Sequence, residues 1–250
     1  MISRQSTLLG AFFVGNATLN RFKSTNRRVM KIFLDCSDTA VVADAYATGL
    51  IDGVTTNPSL IKKSGRDPKD VIQELSDIFP WTASISAEVM GEMADEMLEM
   101  AEDYIAIGPN VTIKVPCTHQ GLIACKRLHE DGITTNVTLI FSAAQAILAA
   151  KAGATYVSPF VGRLNDQYWD GVQLVEEISD VFATHNIQTE VLAASIRDAG
   201  QVTKCFRVGA DVCTMPHSVF LKMYNHALTD AGLDIFRRDW EDAQKFFNKG

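Results

Sequence analysis

From residue 30 onward the chain alternates short apolar runs rich in β-branched residues with longer stretches of helical periodicity, and it does so eight times. The strand-like runs are residues 32–35, 53–56, 83–89, 111–115, 133–137, 155–158, 189–193 and 211–215. The helical stretches that follow them are residues 39–48, 68–79, 92–107, 121–130, 142–151, 171–183, 198–208 and 218–229. Alternation of this kind predicts parallel strands joined by right-handed crossovers. Eight units in about 200 residues predict an α/β fold, the (β/α)8 TIM barrel. An open doubly wound sheet is the rival. That fold usually carries a glycine-rich phosphate turn after its first strand, and Asp35-Cys36-Ser37-Asp38 is not one. The length of 250 residues suits a single barrel domain over residues 30–250 better than two smaller domains.

Local punctuation agrees with the alternation. Ser37 or Asp38 can cap the first helix and Gly49 can end it. Asp67-Pro68 puts an acid at an N-cap and proline in the first turn of the next helical stretch. Gly153 and Gly209 stand where helices hand over to strands. Two stripes need a physical reading. Met93, Met97, Met100 and Tyr104 recur at helical spacing with acids on the other faces, which reads as a core-facing stripe rather than a cofactor or metal box. Phe236, Trp240, Ala243 and Phe247 line one side of an additional C-terminal helix at residues 234–248. A closed barrel has no strand left for them to cover, so they fold onto their own barrel or dock on a neighbouring subunit.

Charge narrows the partners. The net charge of −7 gives no global pull toward nucleic acid or an anionic membrane. It is unevenly spread: residues 1–29 carry Arg4, Arg21, Lys23, Arg27 and Arg28 and no acid, leaving −12 on the remainder. That segment reads as a non-structural leader: a transit peptide, a poor secretory signal, or sequence upstream of a start at Met30. Its apolar stretch, residues 8–14, is too short to span a bilayer. The five cysteines form no CxxC pair and the five histidines no HExxH, so neither a disulfide framework nor a metal site is expected. A cytoplasmic, reducing setting suits them.

Polar residues cluster at strand ends. Asp35 ends the first strand, Asn57 follows the second, Glu88 lies in the third and Lys114 in the fourth. Asn136 and Thr138 flank the end of the fifth, Ser158 ends the sixth with Arg163 five residues on, and Ser195 and Arg197 follow the seventh. In a barrel these positions converge on the C-terminal mouth, where such enzymes work. Alternation in Val111-Thr112-Ile113-Lys114-Val115 turns Lys114 away from Ile113 and Val115, toward the interior. Burial disfavours its charged form, and a free amine there can form a Schiff base with a carbonyl. The competing reading is a lysine that snorkels at the strand end or pairs with an acid. Asp35 and Glu88 are either proton-transfer groups or that lysine's charge partners. Asn57 and Asn136 are hydroxyl-binding amides or turn residues, the latter weighty for Asn57 before Pro58. Arg163, Ser195 and Arg197 offer donors suited to a phosphate.

These residues resemble the transaldolase/fructose-6-phosphate aldolase family in its small, single-barrel form. The resemblance rests on FLDCSD around Asp35, GVTTNPSLI around Asn57, SAEVM around Glu88, IKVPCTHQGL around Lys114, GITTNVTLIFS around Asn136 and Thr138, AGATYVSPFVGR through Arg163, and VLAASIR at Ser195 and Arg197. It implies a sugar-phosphate enzyme without a cofactor. Lys114 attacks the ketone of a ketose phosphate, and Asp35 takes the proton as the C3–C4 bond breaks. Glu88 and Thr138 position the water of the proton relay. Asn57, Asn136 and Ser158 hold the three-carbon unit, and Arg163, Ser195 and Arg197 hold the phosphate. It further implies that Glu88 and Phe160 mark a transaldolase, since the aldolases carry glutamine and tyrosine there and phenylalanine cannot protonate the enamine. The expected transfer moves dihydroxyacetone from sedoheptulose 7-phosphate to glyceraldehyde 3-phosphate. The alternatives are a lyase that releases free dihydroxyacetone and a non-catalytic phosphosugar-binding barrel. A homo-oligomer, a decamer of two five-membered rings, is implied by the same resemblance.

Overall fold

The structure, a computed structural model, describes residues 30–247. The leader expected at residues 1–29, and the last residue of the helix expected at 234–248, lie outside the described residues. Eight parallel strands close into a barrel in sequence order. They are β1 (Lys31–Asp35), β2 (Gly53–Thr55), β3 (Ser84–Glu88), β4 (Val111–Pro116), β5 (Thr135–Ile140), β6 (Tyr156–Pro159), β7 (Glu190–Ala193) and β8 (Val212–Met215). β8 pairs back onto β1 with Phe33 opposite Thr214, which closes the ring. The expected TIM barrel is therefore present, and every strand overlaps its predicted range, although β5 runs three residues past the expected end at 137 and so takes in Thr138.

Helices follow each strand: α1 (Thr39–Tyr46), α2 (Pro58–Ser64) and α3 (Pro68–Ile78), α4 (Ala94–Ile105), α5 (His119–Glu130), α6 (Ala143–Lys151), α7 (Val161–Asn165) and α8 (Gly171–Thr184), α9 (Ala199–Arg207), α10 (His217–Lys222) and α11 (Ala227–Phe247). Asp38 caps α1 by accepting from Ala40 N and Val41 N at 3.1 and 3.2 Å, and Asp67 caps α3 from Lys69 N at 2.8 Å. Two short helices, α2 and α7, extend the predicted set. The signals for α2 are in the sequence: Asn57 at the N-cap, Pro58 in the first turn, and Gly65 in the left-handed region at φ 66°. The expected helices at 218–229 and 234–248 need correction, because the break falls at 223–226 and the final helix starts at Ala227. His226 Nδ1 accepts from Leu228 N at 3.2 Å and restarts the helix there, although apolar periodicity runs through the break.

Strand alternation sorts side chains into two cores. Leu34, Val54, Ile85, Ile113, Val115, Val137, Val157, Val191 and Met215 face outward against helix residues such as Val71, Leu75, Met97, Ile178 and Phe182. Burying each such side chain contributes about 1.5–3 kcal/mol, and together they fix which strand face looks inward. Inside the ring, Phe33, Tyr156, Leu192 and Val212 form a separate apolar plug. Phe33 sits over Gly53, where a Cβ would lie 2.8 Å from its ring and 2.5 Å from the Ser84 carbonyl. This plug gives the polar residues at the strand ends an apolar floor.

The methionine stripe is mostly core. Met97 and Tyr104 belong to the outer core and Met100 packs against it, whereas Met93 is exposed just ahead of α4. α11 is different: none of its residues is buried, and Phe236, Trp240 and Phe247 are 66–76% exposed. The aromatic stripe does not fold onto its own barrel. Among the described residues no helix is long and apolar enough to cross a membrane.

Candidate active site

Register sets the centre of the site. Glu88 is the Cα partner of Lys114 and Lys114 of Asn136, so three neighbouring strands present these side chains at one level. Lys114 is 5% exposed, and its Nζ donates to Glu88 Oε2 at 2.9 Å and to the Thr56 carbonyl at 2.9 Å. The lysine therefore points inward as alternation predicts, and it is also paired with an acid. Inward placement and pairing with Glu88 are thus both present. Removing two charges from water costs several kcal/mol per ion, which close contact offsets only when the remaining bonds are also made. The second bond, to a strand-end carbonyl, meets that condition. A carboxylate that holds an ammonium is also a ready acceptor for its proton.

Asp35 comes from β1. Its Oδ1 accepts from Thr55 Oγ1 at 2.9 Å and from Asn57 Nδ2 at 3.4 Å. Burial pushes the Asp35 carboxyl above the ordinary aspartate range. The charge of Lys114 opposes this most, followed by the bonds from Thr55 and Asn57, while Glu88 adds to the elevation. Asn57 serves two ends at once, since its Oδ1 also accepts from Leu60 N at 3.0 Å to cap α2. The turn reading and the site reading of Asn57 are thus compatible. On the other side of Lys114, Ser158 Oγ donates to Asn136 Oδ1 at 2.6 Å, and Asn136 Nδ2 donates to Ser86 Oγ at 3.2 Å. This chain fixes the amide of Asn136 in the interior.

β5 is irregular where it matters. Its register against β6 shifts between Val137 and Ile140, and Leu139 adopts φ 60°, unusual for a residue other than glycine. Strict alternation would keep Ile140 on the inward side with Asn136 and Thr138. The bulge instead lets Ile140 join the outer core and leaves Thr138 at the mouth. Thr138 Oγ1 is buried and makes no hydrogen bond within the protein, which leaves a hydroxyl able to bind a substrate oxygen or water.

The expected phosphate residues lie on the loops after β6 and β7. Arg163 is exposed on α7, with its guanidinium 4.9 Å from the centre of the Phe160 ring. Phe160 is bridged to Ala194, packs edgewise on Phe141 at 5.7 Å and touches the inner plug, so its ring joins the barrel interior to the rim. Ser195 is half-buried with φ 58°. Arg197 Nη2 donates to Asp166 Oδ2 at 2.8 Å. The two loops meet at Gly162, where a Cβ would stand 2.0 Å from the Ser195 carbonyl and 2.8 Å from Arg197 Nε.

Several residues at the site are not marked by the strand-end pattern of the sequence. Thr55, Ser86 and Thr214 are buried hydroxyls inside strands, and Thr56 contributes only a carbonyl. Alternation alone reaches Ser86, two residues before Glu88. Asp166 is found only through its contact with Arg197. Among the described residues no group of three or more His, Cys, Asp or Glu side chains is placed to hold a metal ion. Chemically the site offers an inward amine, two carboxylates, an amide set for hydroxyl oxygens and two rim arginines.

Comparison with known proteins adds the family context. The family described as Transaldolase/Fructose-6-phosphate aldolase matches residues 32–249. A protein of Caulobacter vibrioides named "Probable transaldolase" is 53% identical over 211 residues, which cover 84% of this chain and 96% of the relative. A Geotalea uraniireducens protein of the same name is 50% identical over 216 residues, 86% of this chain and 100% of the relative. One from Paracoccus denitrificans is 50% identical over 211 residues, 84% of this chain and 96% of the relative.

Proposed function

The chain belongs to the transaldolase/fructose-6-phosphate aldolase family, and we propose that within it this protein is a transaldolase of the pentose phosphate pathway. It moves a dihydroxyacetone unit from sedoheptulose 7-phosphate to glyceraldehyde 3-phosphate, leaving erythrose 4-phosphate and making fructose 6-phosphate. The observation that carries this reading is the inward Lys114 amine bonded to Glu88 at 2.9 Å.

In this mechanism Lys114 passes its proton to Glu88 and the free amine adds to the C2 carbonyl of the ketose phosphate. Glu88 and Thr138 hold the water that carries protons as the adduct loses hydroxide and becomes an iminium. Asp35 takes the proton of the C4 hydroxyl, the C3–C4 bond breaks, and the aldose phosphate departs. The electron pair enters the iminium and leaves an enamine on Lys114, so the chemistry calls on no cofactor. An acceptor aldehyde takes up that pair at its carbonyl carbon, Asp35 returns the proton, and water releases the product. Asn57, Asn136 and Ser158 bind the hydroxyls of the three-carbon unit. Arg163, Ser195 and Arg197 bind the phosphate, with Arg197 exchanging Asp166 for it.

Phe160 favours transfer over release, because its ring has no proton to give the enamine. The test supplies fructose 6-phosphate with and without erythrose 4-phosphate as acceptor. Sedoheptulose 7-phosphate formed only with acceptor supports the reading. Free dihydroxyacetone formed at a similar rate without acceptor makes the protein a lyase, and binding without turnover makes it a phosphosugar-binding barrel. The protein is further proposed to act as a homo-oligomer, a decamer of two pentameric rings. The unburied aromatic face of α11 supports this. Five cysteines outside any disulfide support a reducing, cytoplasmic setting.

A further inference from the structure

Asp35 sits at the end of a chain of hydroxyls that crosses three strands. Thr55 on β2 is the Cα partner of Asp35 and donates to its Oδ1 at 2.9 Å. Behind Thr55, the hydroxyl of Thr214 on β8 lies 2.7 Å from Thr55 Oγ1. Thr55 and Thr214 are 2% and 3% exposed, so water does not compete for these bonds. The two residues are 159 positions apart and meet only because β8 closes onto β1.

Hydrogen counting sets the direction of the chain. A threonine hydroxyl has one hydrogen. When Asp35 is ionised, the hydrogen of Thr55 goes to the carboxylate, so the 2.7 Å contact behind it requires Thr214 to donate. Donation into Thr55 polarises its O–H and strengthens the bond to the carboxylate. It also prevents the Thr55 hydrogen from turning away toward Thr214. We propose that Thr214 is a positioning residue: its hydroxyl holds that of Thr55 turned toward Asp35 and so keeps the carboxylate ready to take a proton.

The inference rests on Asp35 acting as acid and base in the proposed reaction. The groups that bear on Asp35 are Lys114 of β4, which favours its charge, and Glu88 of β3, which opposes it. Thr55 and Asn57 donate to it, and the adjacent Cys36 thiol is held above its ordinary range by burial, so it stays protonated near neutrality. Of these, a change at Thr214 bears only on the bond from Thr55, whose hydroxyl it contacts. Loss of the Thr214 hydroxyl weakens support for the charged form of Asp35, so the carboxylate protonates at higher pH.

The test is the pH profile of kcat/KM for Thr214→Val, Thr214→Ser and Asp35→Asn in the full chain. Thr214→Val moves the acidic limb upward by about 0.5–1 pH unit, so that activity at a fixed pH low on that limb falls about 3–10-fold, with KM for fructose 6-phosphate little changed. Thr214→Ser restores the wild-type limb. Thr214→Ala makes the same test should the valine variant fail to fold. An unmoved limb in a folded hydroxyl-free variant, with Asp35→Asn inactive, overturns the role of Thr214 alone, as does an equal change in the serine and valine variants. Full activity of Asp35→Asn instead overturns the acid-base reading on which the inference stands.

Discussion

Asp35 and Lys114 reach the same mouth under opposite constraints. Lys114 is held by a carboxylate and a carbonyl, each at 2.9 Å, whereas burial works against the charge that Asp35 must carry to accept a proton. The site therefore keeps a base that the fold itself disfavours, a trade between stability and activity. The sign follows from linkage. A carboxyl elevated in the folded state contributes stability that is full below its unfolded value and is lost as pH rises through the folded value. At pH 7 ionised Asp35 thus costs the fold, and a neutral residue there does not. Asp35→Asn is expected to raise the urea midpoint at pH 7 while abolishing turnover, with the gain closing as pH falls below the ordinary aspartate range. A midpoint gain that persists unchanged at low pH contradicts this account. Sequence position alone identifies Asp35, Glu88 and Lys114 as strand-end residues. It does not identify Thr55 or Thr214, because hydroxyls within strands are commonplace and only ring closure brings these two together.

Elements decide how finely the site is placed. Alternation of outward Ile85, Ala87, Ile113 and Val115 with inward Ser86, Glu88 and Lys114 is written in the sequence, and both the barrel and the inward lysine follow from it. The bulge at Leu139 is not so written, since nothing in Thr135–Ile140 announces a left-handed residue inside a strand. The break before α11 is likewise hidden by apolar periodicity and appears only when the His226 side chain caps the next turn. Loop contact at Gly162 gives a test at this scale. The Cβ of Gly162→Ala would collide with the Ser195 carbonyl and displace Arg197. The expected result is a loss of about 10²-fold in kcat/KM for phosphorylated substrates, with activity on unphosphorylated dihydroxyacetone transfer far less affected. Equal losses on both substrate types would show that the substitution damages the barrel rather than the phosphate loops.

The whole molecule joins a complete barrel to a helix that the barrel does not cover. α11 has 21 residues, none buried, with Leu228, Phe236, Trp240 and Phe247 66–76% exposed. An isolated amphipathic helix is marginal in water, so packing against another copy is its natural support. The double variant Phe236→Glu/Trp240→Glu is expected to reduce the mass measured by light scattering to that of smaller assemblies, while the far-ultraviolet spectrum of the barrel persists. An unchanged mass would place the subunit contacts elsewhere. The chemistry does not depend on that outcome, because every residue of the proposed mechanism lies in one chain. Its most direct test is reduction with borohydride in the presence of fructose 6-phosphate, followed by mass mapping of peptides. The proposed mechanism requires a reduced three-carbon or sugar adduct on Lys114 that vanishes in Lys114→Ala; an adduct on another lysine, or none in an active preparation, would contradict it.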